Sequence, residues 1–119
     1  MPIEDLHHVQ LAMPPGREAE ARAFYGGLLG LEEIPKPELL RASGGVWFRL
    51  GSRELHLGIE PGFTPARKAH PGMSASDLTD LAHRLEAAGH PCTWDDRIPD
   101  VPRFACADPF GNQLEFLAP

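Results

Sequence analysis

His8, His56, His70 and Glu115 are the side chains of this 119-residue chain whose types and spacing could do chemistry together. Imidazole nitrogens and a carboxylate suit a divalent transition metal: zinc, nickel, cobalt, manganese or iron. Taken singly, a polar residue on a strand is more often solvated than a ligand. The spacing argues otherwise. His56 and Glu115 stand 59 residues apart, as do Gly30 and Gly89, two glycines placed to end helices. His8 and His70 stand 62 apart. The pattern is that of an internal repeat in which each copy contributes two of the four residues.

The elements that must carry them follow from periodicity. His8 opens an alternating stretch with Val9, Leu11 and Met13 on one face, closed by Pro14-Pro15-Gly16. Residues 17–29 read as a helix with Ala21, Phe24, Tyr25, Leu28 and Leu29 on one side. A proline-punctuated stretch, 35–37, separates it from strands at 46–50 and 54–60. A polar connection then leads to a short strand at 70–74, with Pro71 confining it to an edge. A second helix is expected over 77–88, capped by Ser74 or Ser76 and striped by Leu78, Leu81, Leu85 and Ala88. Strands near 91–94 and at 103–107 follow. Asp108-Pro109-Phe110-Gly111 fits a type I turn into a last strand, 112–117.

Strand, helix and strands thus occur twice, over about 3–61 and 68–118, within one α+β domain spanning 1–119. Each of the four candidate residues lies opposite its strand's large apolar side chains. If each module packs its apolar faces on its own helix, the other faces meet and the four side chains converge. His7 has the wrong parity, and His83 and His90 read as surface residues. Gln10 shares the face of His8. Arg103 shares a face with Ala105 and Ala107 and could grip an anionic substrate group through two parallel bonds. Trp47, Phe48 and Trp94 are candidate pocket walls, and Arg67-Lys68 a rim beside His70.

Composition narrows the partners. The 42% hydrophobic content can build a core, and the net charge of −6 argues against nucleic acid. No apolar run is long enough to span a membrane, and MPIEDLHHVQ lacks the basic start and apolar core of a signal peptide. Cys92 and Cys106 form no metal-type spacing and read as reduced thiols. A cytoplasmic protein acting on a small molecule is the expectation.

HHVQLAMP, FYGGLLGLEE at 24–33, AHPGMSASDLTDLAHRLEAAG and DPFGNQLEF together resemble the vicinal oxygen chelate superfamily. That superfamily includes glyoxalase I, fosfomycin and bleomycin resistance proteins, and extradiol dioxygenases. The resemblance covers nearly the whole chain. It implies two tandem βαβββ modules whose mixed sheets form a cup around a central site, often in a homodimer. It implies metal ligands at His8, His70 and Glu115. A fourth ligand, Glu in glyoxalase I, falls on His56, so one of that enzyme's two carboxylates is replaced. The activity implied is that of a metal enzyme stabilising an enolate or similar anion, with Glu115 or a metal-bound water moving the proton; Arg103, Gln10 and Trp47, from their residue types and faces, are the candidates around the substrate. Two alternatives share the fold: a metal-free binder that sequesters a small molecule, and a small ring-cleaving dioxygenase.

Overall fold

The computed structural model describes residues 2–119. The chain divides into two compact units, Met1–Phe63 and Thr64–Pro119. In the first, β1 (His8–Met13), β2 (Glu32–Ile34), β3 (Val46–Leu50) and β4 (Arg53–Ile59) form one sheet. In the second, β5 (Gly72–Ser74), β6 (Cys92–Asp95), β7 (Arg103–Ala107) and β8 (Gln113–Leu117) form another. The strand orders are β1-β4-β3-β2 and β5-β8-β7-β6, the same arrangement twice. The first strand of each unit runs parallel to the last, and the remaining pairs are antiparallel. Each unit is therefore a βαβββ module with a four-stranded mixed sheet.

The register carries the repeat down to single residues. Gln10 pairs with His56, and Gly72 pairs with Glu115. His8 and His70 each lie two residues before those positions. Trp47 faces His56 across the ladder, and Ala105 faces Glu115. His56 and Glu115 thus hold equivalent places, as the 59-residue spacing requires.

Each helix packs on its own sheet. Residues Glu18–Ala21 form a short α1, which continues as a π-helix over Arg22–Leu28. There Leu29 N–H donates to Phe24 C=O at 2.9 Å, five residues back. Gly26-Gly27, a pair with little helical preference, lies in the widened turns. Phe24 and Tyr25 are both fully buried, and Tyr25 packs on Phe48 with ring centroids 5.7 Å apart. In the second unit α2 (Leu78–Ala87) buries Leu78, Leu81, Ala82 and Leu85. Phe104, Leu114 and Phe116 complete that core.

Several elements differ from the expectations. β2 was not anticipated. Its three residues gain their ladder from β3, with Arg49 paired to Glu32 at 3.1 Å, and show no strand pattern of their own. A 3-10 turn, Glu38–Ser43, also follows Pro37. The cap of α2 is Asp77, whose carboxylate accepts from Asp80 N–H at 3.0 Å; neither Ser74 nor Ser76 serves. Ala82 takes the buried place expected of Ala88, which is exposed. β5 begins at Gly72, two residues late, because Pro71 has no N–H for a ladder. Its carbonyl still accepts from Glu115 N–H at 3.1 Å, so His70-Pro71 stays alongside β8. Cys92 and Cys106 are free thiols opposite one another on β6 and β7. Burial pushes the Cys106 thiol up to about 12, so it remains protonated and inert at neutral pH. Among the described residues no helix is long and apolar enough to cross a membrane.

Candidate functional site

Glu115 is aimed by the turn before it. Asp108, 4% exposed, accepts with Oδ1 from the N–H groups of Phe110 and Asn112, both at 2.9 Å. Its Oδ2 accepts from Asn112 Nδ2 at 2.9 Å, and Gly111 N–H donates to Asp108 C=O at 3.1 Å. This closed turn fixes the start of β8. Alternation then buries Leu114 and Phe116 and leaves Glu115 half-buried on the other face.

There Glu115 meets His70. Their Oε2 and Nε2 atoms are 2.9 Å apart, and the other ring nitrogen, Nδ1, donates to Lys68 C=O at 2.8 Å. The Lys68 carbonyl first, and the Glu115 carboxylate second, raise the imidazole's affinity for a proton above its ordinary value. With Nδ1 protonated against a carbonyl, a neutral His70 would point a lone pair at the carboxylate. Such a contact needs positive charge on that nitrogen or between the two groups. A second proton supplies it, and so would a divalent cation. An imidazole held by a backbone carbonyl, with its far nitrogen beside a carboxylate, is a donor set that fits such a metal.

The first unit brings His8 and His56 together by stacking. Their ring centroids are 4.5 Å apart at an interplanar angle of 20°. His56 also lies flat on Trp47, with centroids 3.7 Å apart at 1°. It is 4% exposed, so it is no solvated strand residue. Its Nε2 lies 2.9 Å from Glu54 Oε1, and this bond lowers the proton affinity of the Glu54 carboxylate. Glu54 is the residue that sequence reasoning missed. Its signal was present: it lies two positions before His56, on the same strand face. A carboxylate thus stands beside the position where the superfamily resemblance leads one to expect a glutamate. His7, taken as peripheral, is exposed, and its Nδ1 lies 2.9 Å from Nδ1 of His8. His83 is exposed and His90 half-buried. Among the described residues, no three His, Cys, Asp or Glu side chains form a group that could hold a metal ion. The structure brings the candidates together as two pairs, each within its own unit.

The substrate candidates divide between two clefts. Gln10 and Trp47 line one in the first unit, with Lys36, Ser43 and Gly58. Gln10 lies so close over Gly58 that a Cβ there would be 2.6 Å from its Nε2. Arg103 lines a cleft in the second unit, together with His70 and Glu115. Its Nη2 donates to Asp95 Oδ2 at 3.1 Å, and its Nη1 lies 3.8 Å from Glu115 Oε1. Ala105, which holds the place that Trp47 holds in the first unit, leaves the space over Glu115 open. Phe48 is core, and Trp94 is about half exposed against Phe104.

The chain is similar over nearly its whole length to proteins of known structure. A glyoxalase family protein from Bacillus anthracis shares 46% of residues over 98% of this chain and 95% of its own, with a TM-score of 0.93. Lactoylglutathione lyase from Agrobacterium tumefaciens matches at 22% identity over 99% and 96%, TM-score 0.75. The fosfomycin resistance protein FosX from Listeria monocytogenes matches at 16% over 98% and 94%, TM-score 0.79. The last two likenesses concern the fold alone. No family model matches the chain. No curated protein matches it either. Nearly half-identical to the Bacillus protein from end to end, and built on the same repeated module, the chain belongs to the glyoxalase family of the vicinal oxygen chelate superfamily.

Proposed function

We propose that the protein is a metal-dependent enzyme acting on a small substrate with two adjacent oxygens. Its ligand candidates are His70 and Glu115 in the second unit and His8 and His56 in the first. The observation that carries this reading is the His70–Glu115 pair, 2.9 Å apart with Nδ1 committed to a backbone carbonyl. FosX has been crystallised with Mn(II), which accords with a divalent ion on this fold. A bound ion would polarise the substrate oxygens and stabilise an enolate-like anion. The chain's own groups do the rest. Lys68 C=O keeps the His70 ring oriented. Glu115 has a second oxygen, Oε1, turned towards Arg103, and this atom takes and returns the substrate proton. Arg103 holds the substrate in the cleft of His70 and Glu115, and Gln10 and Trp47 are the candidates in the first unit's cleft. The Nε2 of His56 is already engaged by Glu54, which makes it the weakest of the four candidate ligands.

The test is thermal unfolding with and without Zn²⁺, Ni²⁺ or Mn²⁺. A ligand that binds only the folded state adds about 2.7 kcal/mol at about 100 times its Kd. The wild type is expected to melt higher with metal. Glu115→Gln should largely lose that rise, as should His8→Ala and His70→Ala, whereas His56→Ala should weaken it less. Equal shifts in wild type and Glu115→Gln would remove Glu115 from the ligand set.

A further inference from the structure

The cleft beside His70 and Glu115 carries a charge opposite to that of the protein. The chain as a whole has a net charge of −6. Yet four cationic side chains, Arg67, Lys68, Arg97 and Arg103, line this one cleft against two carboxylates, Asp95 and Glu115. The cations differ in how far they are satisfied. Arg97 is an exposed latch on Asp95, with Nη2 2.6 Å from Oδ2 and Nε 2.9 Å from Oδ1. Arg103 shares that same Oδ2 and keeps only 16% of its side chain exposed. Its Nε is fully buried and has no hydrogen-bond partner. Among the described residues neither Arg67 nor Lys68 has an ion-pair partner. Asp95 therefore serves two guanidinium groups, and the cleft keeps more positive charge than its carboxylates neutralise.

A buried guanidinium with an unmet donor is costly and needs a reason. The planar fork of arginine matches an oxyanion with two parallel bonds. The cleft encloses about 270 Å³, just under the roughly 300–1,000 Å³ of ordinary ligand sites. Its occupant is correspondingly small. Asp95 holds Arg103 in place from one side. Ala105, where the first unit has Trp47, leaves the room.

We propose that this cleft is an oxyanion subsite, which binds the carboxylate or phosphate-type head of a small substrate through Arg103 and Lys68. The rest of the molecule then lies against His70 and Glu115. This deepens the metal-enzyme reading and rests on it for the reaction, but the binding of an anion by the cleft does not need metal. The substrate class is therefore a small oxyacid whose reacting carbons lie next to its acidic head. Arg67 and Arg97, at the rim, draw the anion in.

The experiment follows the Nε–H signal of Arg103 in ¹⁵N-labelled protein stripped of metal with EDTA and dialysed free of it, at constant ionic strength set with chloride. Inorganic phosphate and acetate are added in separate titrations. A saturable shift with either, and not with chloride, is expected, and the stronger of the two identifies the head group. Lys68→Ala should weaken binding of that anion about tenfold, the scale of one charge-assisted contact. Arg103→Gln should abolish it, read from the backbone signals of Ala105 and Glu115. No saturable shift with either anion overturns the proposal, as does a shift that Lys68→Ala leaves unchanged. Titrating Zn²⁺ into a parallel sample free of EDTA and phosphate separates the two readings. Metal binding without anion binding removes the subsite alone. Anion binding without metal binding leaves the subsite and removes the metal enzyme.

Discussion

Removing the ring of His56 would take away more than a hydrogen-bond partner. The imidazole is buried and stacks with the rings of Trp47 and His8, and it meets the need of Glu54 for a donor. Aromatic stacking contributes about 0.5–1.5 kcal/mol beyond area. A truncated buried ring costs more through the space it leaves. His56→Ala is therefore expected to lower stability by about 2–3 kcal/mol without any metal present. His8→Ala, at an exposed position, loses only its stack on His56 and should cost about 0.5–1 kcal/mol. Urea unfolding in EDTA reads both, and equal effects would show that the stack on Trp47 does not stabilise the fold. The residue scale is where sequence reading succeeded unevenly. Spacing paired His8 with His70 and His56 with Glu115, and parity set all four on one expected face; the observed His70–Glu115 contact joins one member of each pair. Sequence reading did not find Glu54 or Asp95, because a carboxylate's partner depends on rotamers and on which strand lies alongside. It also treated His56 as a residue on an open face, since the Trp47 ring that covers it comes from the neighbouring strand.

At the scale of elements, the turn from Asp108 to Asn112 and the cap of α2 use the same chemistry at different depths. Asp108 is buried and accepts from two backbone N–H groups and one side chain. Asp77 is exposed and accepts from one. Hydrogen bonds to a charged group are worth about 1.5–3 kcal/mol each, and a capping bond about 1. Asp108→Ala should therefore destabilise by about 3 kcal/mol or more, and Asp77→Ala by about 1. Denaturant midpoints of the two variants test the ranking, and a reversed order would mean that water replaces Asp108 in the turn. Because the turn sets the start of β8, Asp108→Ala should also reduce the metal-dependent rise in melting temperature. The elements with a periodic apolar face were readable from sequence: β1, β3, β4, β7, β8 and both helices. β2 was not, because Glu32–Ile34 has no alternation and becomes a strand only through β3. The choice of Asp77 over Ser74 and Ser76 was equally hidden, since three nearby residues could all cap and the exact first turn decides.

For the whole molecule, the edges of the two sheets bear on assembly. Within its unit each sheet has two edge strands, β1 and β2 in the first and β5 and β6 in the second. A bare edge offers unpaired N–H and C=O groups and favours pairing with further chain. The edges here are only partly blunted. β2 carries Glu32 and Glu33, and β5 is three residues long behind Pro71. β1, by contrast, is six residues long and bears few charges. Large apolar side chains also remain exposed, Ile3 and Leu39 at 82% and 96%. A symmetric homodimer is the commonest way for a chain of this kind to cover such surfaces. We therefore expect two copies per particle at micromolar concentration. Sedimentation equilibrium should give twice the 13.0 kDa chain mass. The melting temperature should rise with protein concentration, because association stabilises by mass action. A species of single-chain mass, with a melting temperature independent of concentration, would show that the edges and apolar side chains stay uncovered by a second copy.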